Sequence, residues 1–325
     1  MDLLIVDTLE AEVMQWLRAR HRVTHAPELA LDPRGFRKAL YSVRAAIVPP
    51  TVTIDNQALH HAPVLQAVGR VSAGAENIDL EACSRADVEV VRSPTATAHA
   101  EAEFMIGALL SMLRRVPVPG SDGVPIGREL GGATVGLVGM APAARSMATL
   151  LAAFGSKVAG YDPSLHASDP VWERWHVEPL SLRKLMMQCD AVCVQLNYFS
   201  RYHGLLGDRF LSFCKPHQVL VSTAHSGLFD EAALASALVS GRLAAVWLDS
   251  LEPGALDEGR PLHGIETLQV TPRVASTTRE SRQRSAWAVA RRIDELLEAP
   301  ASAPADFKST IPGALADLEA DSLSP

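Results

Sequence analysis

The chain has 325 residues, 48% of them hydrophobic and 21% charged; this excludes a disordered or low-complexity polymer and predicts about two globular domains. Its 30 Lys and Arg against 37 Asp and Glu leave a net charge of −7. With no basic tract, binding to nucleic acid or to an anionic membrane is not expected.

In chain order, Leu3-Leu4-Ile5-Val6 reads as a strand and Ala11 to Arg20 as an amphipathic helix with Val13, Trp16 and Leu17 on one face. Further strands are expected at Ala45–Val48, Val64–Val68 and Val88–Val91. Strands separated by helical stretches predict βαβ units and a parallel sheet. Ala98 to Arg115 is the most periodic helix, with Ala102, Met105, Ile106, Leu109, Leu110 and Leu113 on its apolar stripe. The Gly- and Pro-rich stretch from Val116 to Gly132 reads as a domain junction. A second series follows, with strands at Thr134–Val138, Lys157–Tyr161, Ala191–Val194, Val219–Ser222, Ala244–Leu248 and Leu268–Val270. Helices at Ala143–Phe154, Asp230–Ser240 and Thr278–Leu297 complete a doubly wound pattern. After Glu298 the composition turns to Ala, Pro, Ser and Asp, and a mobile tail is expected over 301–325. No apolar run reaches the ~18–20 residues of a membrane span. The acidic start Met1-Asp2 enters a strand directly, so no leader is expected. Cys83, Cys189, Cys193 and Cys214 show no metal spacing and predict reduced thiols in a cytoplasmic protein.

The strand ending at Val138 runs into Gly139-Met140-Ala141-Pro142-Ala143-Ala144-Arg145, where a dinucleotide fingerprint sits between strand and helix. Asp162, 23 residues beyond Gly139, stands where a carboxylate binds the ribose hydroxyls of NAD and disfavours a 2′-phosphate. The fingerprint departs from the glycine pattern. Ala141 puts a methyl where the pyrophosphate approaches, and Pro142 removes one N–H from the helix start. A plain βα turn without ligand is the alternative reading of these residues.

Several segments in order resemble the D-isomer-specific 2-hydroxyacid dehydrogenases: Arg70-Val71-Ser72-Ala73-Gly74-Ala75-Glu76-Asn77-Ile78-Asp79, Ala98 to Arg115 with Ala102-Glu103, Gly132 to Asp162, Asp230 to Leu234, Leu248-Asp249 and Thr271-Pro272. The resemblance implies an α/β architecture: a doubly wound parallel-sheet (Rossmann) cofactor domain inserted into a smaller, flavodoxin-like α/β substrate domain. It places the substrate domain at 1–97 plus 286–300 and the cofactor domain at 98–285. It further implies NAD as cofactor, a small anionic 2-oxo or 2-hydroxy acid as substrate, and a homodimer. Gly139, Ala141, Pro142, Ala143, Asp162, Thr223, Ala224 and Asp249 would line the cofactor, and the backbone of Ala73 and Gly74 would meet the substrate carboxylate.

The family's chemistry uses an Arg for the substrate carboxylate, a His for the proton and a Glu beside that His. In this sequence the Arg position is His225 and the His position is Arg273. The Glu position is Gly254, with Glu252 two residues earlier. The reading that keeps catalysis is an exchange of roles, His225 as acid/base, Glu252 as its partner and Arg273 as the anion binder, because Arg stays protonated and cannot shuttle protons. The alternative is a non-catalytic relative that binds a nucleotide or an acid as a sensor. Asn197 to Tyr202 replaces a stretch with Pro and two Thr, so Phe199 and Tyr202 either stack on the adenine or fill its site. His60-His61 reads as a solvated helix end, Cys189 and Cys193 as core, Trp172 and Trp175 as a sheet-edge cap, and Ser226 lacks the elbow motif of a hydrolase.

Overall fold

A computed structural model of the chain describes residues 2–298 apart from Ala73 and Glu76. The expected substrate contact at Ala73 and the expected tail at 301–325 lie outside the described residues.

Five short strands come first: β1 (Leu3–Ile5), β2 (Val23–His25), β3 (Ala45–Ile47), β4 (Ala67–Gly69) and β5 (Glu89–Val91). They form one parallel sheet in the order β2-β1-β3-β4-β5. A small antiparallel hairpin, β6 (Val118–Pro119) with β7 (Pro125–Ile126), follows inside the expected junction. The second sheet holds β8 (Thr134–Val138), β9 (Lys157–Tyr161), β10 (Glu178–Pro179), β11 (Ala191–Val194), β12 (Val219–Ser222), β13 (Ala245–Leu248) and β14 (Leu268–Val270). It is parallel throughout, in the order β10-β9-β8-β11-β12-β13-β14. Strands covered on both faces need unbroken apolar runs, and β1, β3, β11 and β12 are buried at every residue.

The helices explain the two-domain arrangement. Pro94–Arg115 buries Ala102, Met105, Leu109, Met112 and Leu113 against Val135, Leu137 and Met147 of the second unit. The last helix, Arg279–Glu298, returns to the first sheet, where Ala286, Val289, Ala290 and Ile293 pack on Leu3, Ile5, Ala45 and Ile47. Each fully buried Leu, Ile or Val among them contributes about 1.5–3 kcal/mol. Helix and sheet approach closely at Gly69, where an added Cβ would lie 2.7 Å from the Val289 Cγ1.

Several element expectations shift. The strand expected at Val64–Val68 is Ala67–Gly69, because Leu65 N–H closes a turn onto the Ala62 carbonyl. The helix expected from Ala98 begins at Pro94, a residue pre-shaped for a first helical turn. The expected domain limits at 97/98 and 285/286 therefore both fall inside helices. Edge strands β2 and β10 escape the sequence reading, being too short and too mixed for an alternation signal. Trp172 lies in the helix Pro170–Arg174 with its ring against Gly160 of β9. All four cysteines are buried, and burial pushes the Cys83 thiol up to about 11 and those of Cys189 and Cys214 up to about 12, so they are inert core groups.

Candidate active site

The register of the second sheet lines up its carboxyl ends. Tyr161, Val138, Val194, Ser222, Leu248 and Val270 form one row across six strands. Each chain then leaves the sheet with one more backbone bond to its neighbour: Gly139 N–H to the Tyr161 carbonyl at 2.7 Å, Gln195 to Val138 at 2.8 Å, Asp249 to Ser222 at 2.8 Å and Thr271 to Leu248 at 2.9 Å. The chain reverses its winding between β8 and β11, so the crevice outside these ends is where an open α/β sheet binds its ligand. Gly139, Asp162, Thr223, Asp249 and Thr271 each follow the row by one residue, and His225 and Arg273 by three.

At the nucleotide end, Gly139 has a φ of +97°, and a Cβ there would lie 2.6 Å from the Leu196 backbone nitrogen. The next N–H, of Met140, donates to Asp162 Oδ2 at 2.8 Å, and Ser164 donates to Oδ1 through its N–H and its hydroxyl. The helix Pro142–Ala153 starts against the crevice with no side-chain cap at Ala141. Among the described residues no acceptor meets the Ala143 or Ala144 N–H. A tight glycine turn, an uncapped helix start and a carboxylate at the next strand end fit a dinucleotide.

At the other end, His225 lies beside a turn of 3₁₀ helix, Ser226–Leu228. Its Nδ1 accepts the Gly227 N–H at 3.0 Å, and its Nε2 lies 3.3 Å from Glu252 Oε1. The Tyr198 ring stacks on the imidazole, with centroids 4.4 Å apart and an interplanar angle of 18°. A side chain at Gly227 would strike both rings, its Cβ 3.0 Å from the Tyr198 Cε2 and from the His225 Nδ1. Because Nδ1 accepts, the ring's proton sits on Nε2, facing Glu252. The His225 side chain is 25% exposed and that of Glu252 52%.

Arg273 is exposed and holds a φ of +55°, a conformation rare for a branched-out L residue. Its N–H donates to the Asp249 carbonyl at 2.7 Å and its Nε to the Ser250 hydroxyl at 3.2 Å. Asp249, 4% exposed, is the anchor of this loop: its carboxylate accepts from the Thr271 hydroxyl at 2.6 Å and from the Val274 and Ala275 N–H groups, each at 2.9 Å.

A model of the D-isomer specific 2-hydroxyacid dehydrogenase NAD binding domain matches residues 114–275. The (S)-sulfolactate dehydrogenase of Chromohalobacter salexigens is 32% identical over 295 residues, covering 88% of this chain and 95% of the relative. The chain belongs to the D-isomer specific 2-hydroxyacid dehydrogenase family. The D-3-phosphoglycerate dehydrogenase of Mycobacterium bovis is 32% identical over 257 residues, covering 77% of this chain and 48% of that relative, so this chain spans about half of the longer enzyme's length. The solved TT0316 protein of Thermus thermophilus superposes with a TM-score of 0.75 at 26% identity, over 92% of this chain and 97% of that one. This family member is thus an NAD-linked oxidoreductase acting on CH–OH donors, and the comparisons give no support to the non-catalytic reading.

Within this family frame, the structure brings His225 and Glu252 together, while Arg273 is tied to Ser250 on the next loop. Gly254 occupies a turn with φ +79°. Thr223 and Ala224 follow β12, with Thr223 N–H on the Val194 carbonyl at 3.2 Å and Ala224 N–H on the Ser222 hydroxyl at 3.2 Å. Gly74 lies on its loop with its carbonyl 3.4 Å from the Ser72 hydroxyl. Tyr198, Gly227 and Ser250 are partners that sequence reading missed, since each contact crosses between segments. Glu101, on the helix Pro94–Arg115, was missed as well. Burial pushes its carboxyl above the ordinary range, with Asp249 adding repulsion and a hydrogen bond with Thr97 opposing.

That raised carboxyl has a measurable sign. The folded state holds the Glu101 proton more tightly than the unfolded chain, so the group favours folding below the ordinary carboxylate range of about 4.3 and opposes it once pH rises through its folded value. Glu101→Gln is expected to raise the urea midpoint at neutral pH and to lose that advantage below about pH 4. A variant no more stable than the parent at neutral pH contradicts the burial argument.

Proposed function

We propose that this protein interconverts a small 2-hydroxy acid and its 2-oxo acid with NAD, with His225 as the group that moves the proton, Glu252 as its carboxylate partner and Arg273 as the cation that binds the substrate carboxylate. The observation that carries this reading is the 3.3 Å pairing of His225 Nε2 with Glu252 Oε1, an imidazole–carboxylate pair on the loop row that borders the crevice. Arg273 fits the other role because a guanidinium matches a carboxylate in a planar fork and stays charged.

The residues that would hold NAD are Gly139, Ala141, Pro142 and Ala143 around the pyrophosphate, Asp162 at the ribose, and Thr223, Ala224 and Asp249 toward the nicotinamide. Bound NAD supplies the hydride acceptor for the substrate's C2 in the oxidative direction. The hydroxyl proton passes to His225 in that direction and returns from it in reduction. Since Nε2–H faces Glu252 and the ring's lone pair is on Nδ1, the hydroxyl proton is received at Nδ1 once the substrate hydroxyl takes the place of the Gly227 N–H, and the kept Nε2–H···Glu252 pair stabilises the imidazolium that forms. Gly74 would add a backbone donor to the substrate carboxylate.

We assign the substrate part to residues 1–97 with 286–300, and the cofactor part to 98–285. A homodimer is supported by the exposed Val124 and Ile126 of the hairpin and the exposed Leu110 of the long helix, and a cytoplasmic location by the four free cysteines. The test is NADH oxidation with glyoxylate, pyruvate, hydroxypyruvate and 3-sulfopyruvate, the last two bringing a second polar group on C3. Turnover with at least one is expected. Absence of NADH binding at millimolar concentration overturns the reading.

A further inference from the structure

The segment that follows β11 meets the nucleotide turn, the His225 loop and the end of β9 in succession. At its start, the Leu196 backbone lies against Gly139 of the nucleotide turn. Tyr198 then stacks on His225. At its far end Tyr202 packs on the same core as Tyr161, the residue before Asp162, and the two phenols are electrostatic neighbours. Between them Arg201 projects on a turn of 3₁₀ helix, Ser200–Tyr202. Its guanidinium carbon lies 5.0 Å from the Phe199 ring centroid and 4.7 Å from that of Tyr202. Its Nη2 donates to the Tyr202 hydroxyl at 3.1 Å, and the two rings themselves meet edge to face at 6.0 Å.

Among the described residues several arginines lie over one aromatic ring, as Arg183 does over Phe213 and Arg209 over Phe210, whereas Arg201 lies over two. Arg260 and Arg292 pair with Glu231 and Glu89 at 2.7 and 2.8 Å, whereas no carboxylate pairs with Arg201 among the described residues. Two aromatic faces and a phenol hold an uncompensated guanidinium in one plane without neutralising it. The turn that Leu196 meets offers an anion fewer donors than a glycine pattern would, since Pro142 has no N–H and Ala141 puts a methyl where backbone approaches a pyrophosphate, leaving the Ala143 and Ala144 N–H groups.

We propose that Arg201 binds a phosphate of the dinucleotide, replacing donors absent from the Gly139–Pro142 turn. This rests on the NAD reading of the crevice and adds a residue to it. Phe199 and Tyr202 then serve to aim the guanidinium, which is why bulky rings stand on this segment. The pyrophosphate is the expected source of the anion, because a ribose 2′-phosphate would meet the Asp162 carboxylate.

The test is equilibrium binding, read by the fluorescence of NADH and by competition, on the parent chain and on Arg201→Gln. Loss of one charged, planar contact is expected to weaken NADH and ADP-ribose roughly 10- to 100-fold. Adenosine, which carries no phosphate, should bind both proteins alike. Added salt should weaken NADH binding by the parent more than by the variant, and Arg201→Lys should recover part of the affinity at low salt. A loss confined to NADPH and 2′,5′-ADP assigns the contact to the 2′-phosphate instead of the pyrophosphate. Unchanged affinity for NADH and NADPH, or an equal loss for adenosine, overturns the proposal while leaving the NAD reading intact. A parent chain that binds no dinucleotide overturns both.

Discussion

His225→Ala is expected to lower kcat at least ~100-fold while leaving NADH affinity and the KM for the acid nearly unchanged, because a positioned acid/base group contributes about 10²–10⁴-fold to the chemical step. Arg273→Ala is expected to do the opposite, raising KM for the acid roughly 10- to 100-fold with a smaller effect on kcat, since a charge-assisted contact to the substrate carboxylate acts in both ground and transition states. The asymmetry is what distinguishes an exchange of roles from simple drift at the two positions. His225 is tied to Glu252 and stacked under Tyr198, so its contribution should depend on those partners: Glu252→Gln keeps the hydrogen-bonding shape but removes the charge that faces Nε2, and its kcat should fall less than that of His225→Ala. Arg273→Lys tests the fork geometry separately, because an ammonium keeps the charge and loses the planar pair of donors. Steady-state kinetics with the best acid of the panel reads all four variants. Small, equal effects of His225→Ala and Arg273→Ala would remove both side chains from the mechanism.

How far the sequence carried the fold depended on the kind of signal each element held. Thr134–Val138 and Ala191–Val194 match the expected bounds because strands buried on both faces need nearly uninterrupted apolar runs. Val23–His25 and Glu178–Pro179 were illegible because edge strands need no such run. The long helix was recognised by its stripe, but its first turn was not, since Pro94 to Thr97 carry no apolar periodicity. The site divides in the same way. Gly139 and Asp162 are legible from spacing along the chain, because strand, turn and helix fix their separation. The stack of Tyr198 on His225, the Gly227 N–H on Nδ1 and the reach of Glu252 to Nε2 depend on how three loops are placed side by side by the strand register. No local spacing encodes that placement. Asp249 shows a further limit. Its place after β13 is legible, but not that its carboxylate is bonded to Thr271, Val274 and Ala275 and so shapes the loop that carries Arg273.

Gly139→Ala is expected to destabilise the chain by about 2–6 kcal/mol and to abolish measurable NADH binding, the sum of a backbone forced into a glycine conformation and a methyl forced into backbone. The φ of +97° lies where L side chains rarely go, and the methyl would lie 2.6 Å from Leu196 N and 2.7 Å from Leu196 Cα. Those are not the flexible ends of side chains. They belong to the continuation of β11, which is fixed by the Gln195 N–H bond to the Val138 carbonyl at 2.8 Å and by burial of Leu196 in the core. Relief by moving the turn instead would break Gly139 N–H from Tyr161 and Met140 N–H from Asp162, the bonds that hold the Asp162 carboxylate against the turn. Either relaxation disturbs the nucleotide site, so stability and binding should fall together. Gly155→Ala supplies the contrast: its φ is +78°, but no atom lies within 4 Å of the added Cβ. That variant bears only the conformational cost, about 1 kcal/mol, and should bind NADH as the parent does. Urea unfolding together with NADH titration reads both effects. A Gly139→Ala protein with parental stability and parental affinity would mean that the β8 turn is not the rigid element on which the cofactor assignment depends.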